Sequence, residues 1–237
     1  MNTWIKRILL TIVGVIGVTI ILFFIWTQFT YKPSSEVFSY IVGEENGDLT
    51  FGDAKADVGF IFYQGGKVEK EAYAYLGSAL AEKGYFVVIP QLPFDLAILG
   101  SNKAEELINT YTDVKNWYIG GHSLGGVAAS SFAMKNPRDI EGIVFLASYP
   151  ISDMSDSDLR TLSIFGEIDA VAPLDDMLSK NNLLPVENNV VHIIEAGNHS
   201  NFGMYGLQKG DNPTDLSARE QLDVVTTLID TWIKQAK

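Results

Sequence analysis

With 237 residues, 47% of them hydrophobic, the chain can form one globular domain of about 200 residues beside a distinct apolar amino-terminal stretch. A formal net charge of −12 argues against nucleic acid as a partner, since phosphate backbones require clustered Lys and Arg. The absence of cysteine removes disulfides, thiolate metal sites and a cysteine nucleophile together.

After Lys6 and Arg7, residues 8–26 carry no charge, a length that spans a bilayer as a helix. Apolar residues occupy every face, and Trp26 and Tyr31 suit the far interface. The basic pair stays on the cytoplasmic side, so the rest of the chain is expected outside, anchored to a cell membrane by a single pass. A cleaved signal peptide is the competing reading, but its apolar core is shorter, and Thr27-Gln28-Phe29-Thr30 lacks a small-residue cleavage pair. Residues 1–35 are thus read as anchor and linker, the linker running from Tyr31 to Ser35, and residues 36–237 as one folded domain.

Within that domain apolar runs alternate with helical patterns. Val58 to Tyr63 reads as a buried strand, Glu69 to Lys83 as a helix, Phe86 to Ile89 as a strand and Ala104 to Tyr111 as a helix. Trp117 to Gly120 is a strand, Gly125 to Asn136 a helix, and Gly142 to Ala147, Thr161 to Phe165 and Val190 to Ile194 are strands. Ser217 to Lys234 closes as a helix. Val37 to Val42 and Leu49 to Phe51 are expected as antiparallel edge strands. Unalternated apolar strands separated by helices call for a mostly parallel sheet covered on both faces, with function at its carboxyl edge.

Gly121-His122-Ser123-Leu124-Gly125 fits G-x-S-x-G between a strand and a helix, the setting of a nucleophile elbow. Ser123 is the candidate nucleophile, and the Leu124 N–H points at a developing oxyanion. Of the three histidines, His122 packs beneath the turn and His192 falls within a strand. His199, on the loop after the last strand, is left as base. Asp169 follows the strand before it, so the order Ser, Asp, His is that of this architecture; Glu167 is its nearest rival as the orienting acid, followed by Asp175 and Asp176, which read better as helix-start residues. The Gly65-Gly66 turn after Tyr63 supplies the second oxyanion donor, Gly66, with Lys67 as the alternative.

Gln64-Gly65-Gly66, Gly121-His122-Ser123-Leu124-Gly125-Gly126, Gly166-Glu167-Ile168-Asp169 and Gly197-Asn198-His199 together resemble the α/β-hydrolase superfamily, in particular its small, lidless, dienelactone-hydrolase-like branch. The resemblance runs from about Val58 to the carboxyl terminus. It implies an eight-stranded sheet or a trimmed version of one, and ester-type hydrolysis through an acyl-enzyme. Gln64 stands where the family often has His, and Ser123 where dienelactone hydrolases have Cys, so their substrate does not carry over.

The expected activity is a carboxylesterase-like one on a small-molecule ester, with no cofactor and no metal. Phe94 and Leu96, in an apolar loop after Pro90, and Phe202, after His199, are expected to contact substrate. A peptidase or acyltransferase with the same triad, and an inactive binding domain of the same fold, remain the alternatives.

Overall fold

The computed structural model describes residues 3–235. They divide into two compact units, one ending at Thr30 and the other beginning at Tyr31.

The first unit is a single helix, α1 (Thr3–Thr27), long and apolar enough to cross a membrane. The hydroxyls of Thr11, Thr19 and Thr27 donate to the carbonyls of Arg7, Val15 and Phe24. Those polar side chains are thereby satisfied within the helix.

The second unit is built on one eight-stranded sheet in the order β1-β2-β4-β3-β5-β6-β7-β8. The strands are β1 (Gly43–Glu45), β2 (Asp48–Phe51), β3 (Val58–Tyr63), β4 (Phe86–Ile89), β5 (Asn116–His122), β6 (Gly142–Leu146), β7 (Arg160–Gly166) and β8 (Asn189–Ile194). β1 and β2 are antiparallel additions at one edge, and β3 to β8 run parallel. Residues 37–42, expected as a strand, instead lie mostly in the 3₁₀ turn Ser35–Tyr40, and the edge strand begins one residue beyond them, at Gly43.

The parallel strands β3 to β7 are buried on both faces, as their apolar runs require, while β8 at the edge is partly exposed. Phe60 and Phe62 of β3 pack with α2 (Ala74–Ala81) and α6 (Ala218–Lys234). The intervening Ile61 and Tyr63 pack with α3 (Lys103–Thr110) and α4 (Leu124–Lys135) on the other face. α6 starts at a capping box in which Ser217 and Glu220 satisfy each other's backbone N–H, a cap worth about 1 kcal/mol. A short helix, α5 (Leu174–Leu178), follows β7 and carries Asp175 and Asp176 in its first turn.

Tyr31 to Ser35, expected as a linker, belongs to the folded unit. The Tyr31 N–H donates to the Lys67 carbonyl at 2.7 Å, and the Tyr31 carbonyl accepts the Glu69 N–H at 3.2 Å. Lys32 pairs with Glu69, and Ser34 N–H donates to Met204. A chain begun at Pro33 is therefore expected to melt about 2–10 °C below one begun at Gln28, each lost hydrogen bond contributing about 0.5–1.5 kcal/mol. Thermal unfolding of the two truncations checks this.

Candidate active site

Strain is concentrated at one edge of the sheet. Among the described residues seven other than glycine have positive φ, and six of them (Lys67, Phe94, Asp95, Ser123, Ala147 and Ala196) lie in loops at the carboxyl ends of β3, β4, β5, β6 and β8. Such conformations cost about 1–3 kcal/mol each and gather where function needs them.

Ser123 has φ 51° and ψ −120° between β5 and α4. Its N–H donates to Leu146 at 2.9 Å, and its carbonyl accepts the Ser148 hydroxyl at 2.6 Å and Gly126 N–H at 3.1 Å. The turn tolerates no side chain on either flank. A Cβ on Gly121 would meet the Gly125 backbone at 2.3 Å, and one on Gly125 would meet the Tyr63 carbonyl at 2.1 Å. Those clashes explain the G-x-S-x-G spacing in steric terms.

β7 and β8 bring the other two residues together. Their last paired residues are Gly166 and Ile194, and the loops beyond continue to zip: Glu167 N–H donates to Ile194 and Ile168 N–H to Gly197. Asp169 Oδ2 accepts His199 Nδ1–H at 2.7 Å, and both side chains are 1% exposed. Asp169 Oδ1 accepts the N–H groups of Val171 at 2.9 Å and Ala172 at 2.6 Å. A carboxylate beside Nδ1 holds the proton there and leaves the Nε2 lone pair as the basic site. Glu167 instead accepts Ala196 N–H at 2.9 Å, so it braces the histidine loop without touching His199.

Ser123 shares a cavity of about 320 Å³ with the acid loop, its walls including Val127, Tyr149, Val171, Ala172 and Met177. Among the described residues no hydrogen bond joins Ser123 to His199; such contacts are commonly long until a substrate is bound. A larger cavity, about 530 Å³, sits near Pro137, Arg138, Asp156 and Asp158, at the amino ends of β6 and β7 and away from this chemistry.

The loop after β3 lies against the elbow, since a Cβ on Gly66 would be 3.1 Å from the Leu124 side chain. Gly65 N–H donates to the Tyr73 hydroxyl at 2.9 Å and Lys67 N–H to the Asp95 carbonyl at 2.8 Å. Those two donors are committed, while Gly66 N–H has no such acceptor among the described residues. Leu124 N–H, at the first position of α4, has no acceptor within its helix.

The residues expected to contact substrate fare differently. Phe202 is fully enclosed, its ring 5.7 Å from that of His122, which removes it from any surface a substrate reaches. Leu96 is 8% exposed, Phe94 is half-exposed, and neither lines the Ser123 cavity. Residues 147–159, between β6 and β7, form no helix, and Ala147, Ser148 and Tyr149 among them line the cavity. His192 is exposed on the edge strand β8.

One residue that motif reading passes over is Asp211. Its Oδ2 accepts the Ser200 N–H at 2.8 Å and hydroxyl at 2.6 Å, while Oδ1 accepts the N–H groups of Ala170 at 3.2 Å and Asn212 at 2.9 Å. It thus clips together the neighbours of His199 and Asp169. In sequence it is one acidic residue of a polar loop, with no spacing signal to mark it.

The description "Alpha/beta hydrolase family" matches residues 59–223, and the chain belongs to that family. No curated protein sequence matches it. Among solved structures it is similar to a thermophilic esterase from Thermogutta terrifontis, at 13% identity and TM-score 0.62 over 82% of this chain and 97% of that one. It is also similar to a monoacylglycerol lipase from Paleococcus ferrophilus, at 11% identity and TM-score 0.60 over 78% and 98%. An alpha/beta hydrolase enzyme from the metagenome of lagoon sediments of Mar Chica, Morocco, aligns at 18% identity and TM-score 0.61 over 82% and 98%. At these identities the likeness is one of fold.

Proposed function

We propose that the chain is a serine hydrolase of small carboxylic esters, held by α1 as a single-pass anchor with its catalytic domain outside the cell membrane. The observation that carries the reading is a buried Asp169–His199 pair on loops adjoining a strained Ser123 at a helix amino terminus.

Ser123 Oγ attacks the ester carbonyl as His199 Nε2 takes its proton. Negative charge on the carbonyl oxygen is met by the N–H groups of Leu124 and Gly66, each worth about 10²–10³ in rate. The imidazolium, stabilised by Asp169, returns its proton to the departing alkoxide and leaves an acyl-Ser123. His199 then deprotonates water, whose attack releases the acid and restores the serine. The residues Val127, Tyr149, Val171 and Met177 take the acyl group or the alcohol. Lys6 and Arg7, ahead of the span, hold the amino terminus inside.

A volume near the lower bound of about 300 Å³ for ligand sites favours a short acyl chain. The detergent-solubilised chain is expected to hydrolyse p-nitrophenyl acetate and butyrate, with kcat/KM falling about tenfold or more by the palmitate ester. An increasing rate along that series would contradict the small-ester reading, and no turnover of any member would favour the inactive binding domain.

A further inference from the structure

We propose that Tyr73 and His122 form a buried relay that locks the oxyanion loop to the histidine loop, which makes both positioning residues for acyl transfer. The inference rests on the serine-hydrolase reading above.

Tyr73 ends the 3₁₀ turn Lys70–Tyr73 and is fully buried. Its hydroxyl accepts Gly65 N–H at 2.9 Å and lies 2.9 Å from His122 Nδ1. Burial pushes the Tyr73 hydroxyl far above its usual range, so it keeps its proton to donate. His122 is 0% exposed. Burial, with the neighbouring His199 adding to it, holds its ring well below the usual histidine range and therefore neutral.

A neutral imidazole carries one N–H, and a tyrosine donating to Nδ1 places it on Nε2. That Nε2 is sealed in the protein with no hydrogen-bond partner among the described residues, so ring packing joins His122 to the histidine loop. The His122 and His199 rings are 4.5 Å apart, with Phe202 also packed on His122. At the other end the contact is tight, since a Cβ on Gly65 would meet His122 Nδ1 at 2.8 Å and the Tyr73 hydroxyl at 2.9 Å.

The relay has two effects on the reaction. It consumes Gly65 N–H while the Asp95 carbonyl consumes Lys67 N–H, so the loop has Gly66 N–H left to offer the oxyanion. It also ties that donor to the segment bearing the base, so that hole and base keep one spacing from Ser123. No proton passes along it during turnover.

The test uses the full chain in detergent with p-nitrophenyl acetate, fluorophosphonate labelling of Ser123 and thermal melting. Tyr73→Phe is expected to lower kcat about 10–100-fold, the scale of a misplaced catalytic group, with KM changed less than about threefold. His122→Asn, whose amide oxygen accepts the Tyr73 hydroxyl, is expected to recover most of the kcat lost in His122→Leu. A role in packing alone reverses that order, with leucine near wild type and asparagine worse, and that result would overturn the proposal. Equal kcat and equal labelling rates in wild type, Tyr73→Phe and His122→Leu would overturn it while leaving the hydrolase reading intact. An unlabelled Ser123 in the wild-type chain would overturn both.

Discussion

Ser123→Ala is expected to lower kcat by about 10⁵–10⁶-fold, because the nucleophile and its base act as a unit. Stability should stay within about 0.5 kcal/mol of wild type. The reason lies in the elbow, where the bonds that hold Ser123 in place are made by its backbone N–H and carbonyl. Removing Oγ leaves no buried partner unpaired, and alanine meets the same backbone strain as serine. Steady-state kinetics on p-nitrophenyl acetate beside thermal melting checks both halves. A loss of activity matched by a loss of folded protein would instead assign Ser123 a structural role.

Asp169→Asn should cost about 10⁴-fold in kcat, the scale seen when a base is held in the wrong tautomer. Asp169 Oδ1 serves two backbone donors, Val171 and Ala172, so an asparagine keeps its oxygen there and turns its NH₂ toward His199. Facing a donor, Nδ1 must become the acceptor, and the proton moves to Nε2, the atom that has to take the serine proton. Glu167→Gln is the matched control. Glu167 accepts Ala196 N–H at 2.9 Å and is exposed, and a glutamine oxygen keeps that bond, so kcat should change less than about threefold. Equal losses in the two variants would contradict the assignment of Asp169 as the group that orients His199.

The legible parts of this chain are those where a physical demand is written locally. β3 to β7 announce themselves as apolar runs because both faces of the sheet are covered there, and Gly121 and Gly125 flank Ser123 because no other residue fits there. The edge is less legible. Residues 37–42 have a strand-like composition, but Ser39 donates to Glu36 and Val37 N–H to Ser34, so local turns satisfy the backbone before pairing can. The helix expected from Glu69 starts late, at Ala74, because Lys70–Tyr73 is wound as a 3₁₀ turn. The walls of the Ser123 cavity and the clip at Asp211 were not legible at all. They arise from loops meeting across the sheet edge, as when Ala170 and Asp211, 41 residues apart, come into contact, and no periodicity records that. Phe202 illustrates the converse, since proximity to His199 in sequence suggested a substrate wall and the fold buries it instead.

The most direct test of the central claim is covalent: incubate the full chain with a fluorophosphonate, weigh the intact protein and map the modified peptide. The account predicts a single adduct on Ser123, formed at a rate that collapses in His199→Ala. An unmodified chain, or an adduct elsewhere with Ser123 untouched, would contradict it.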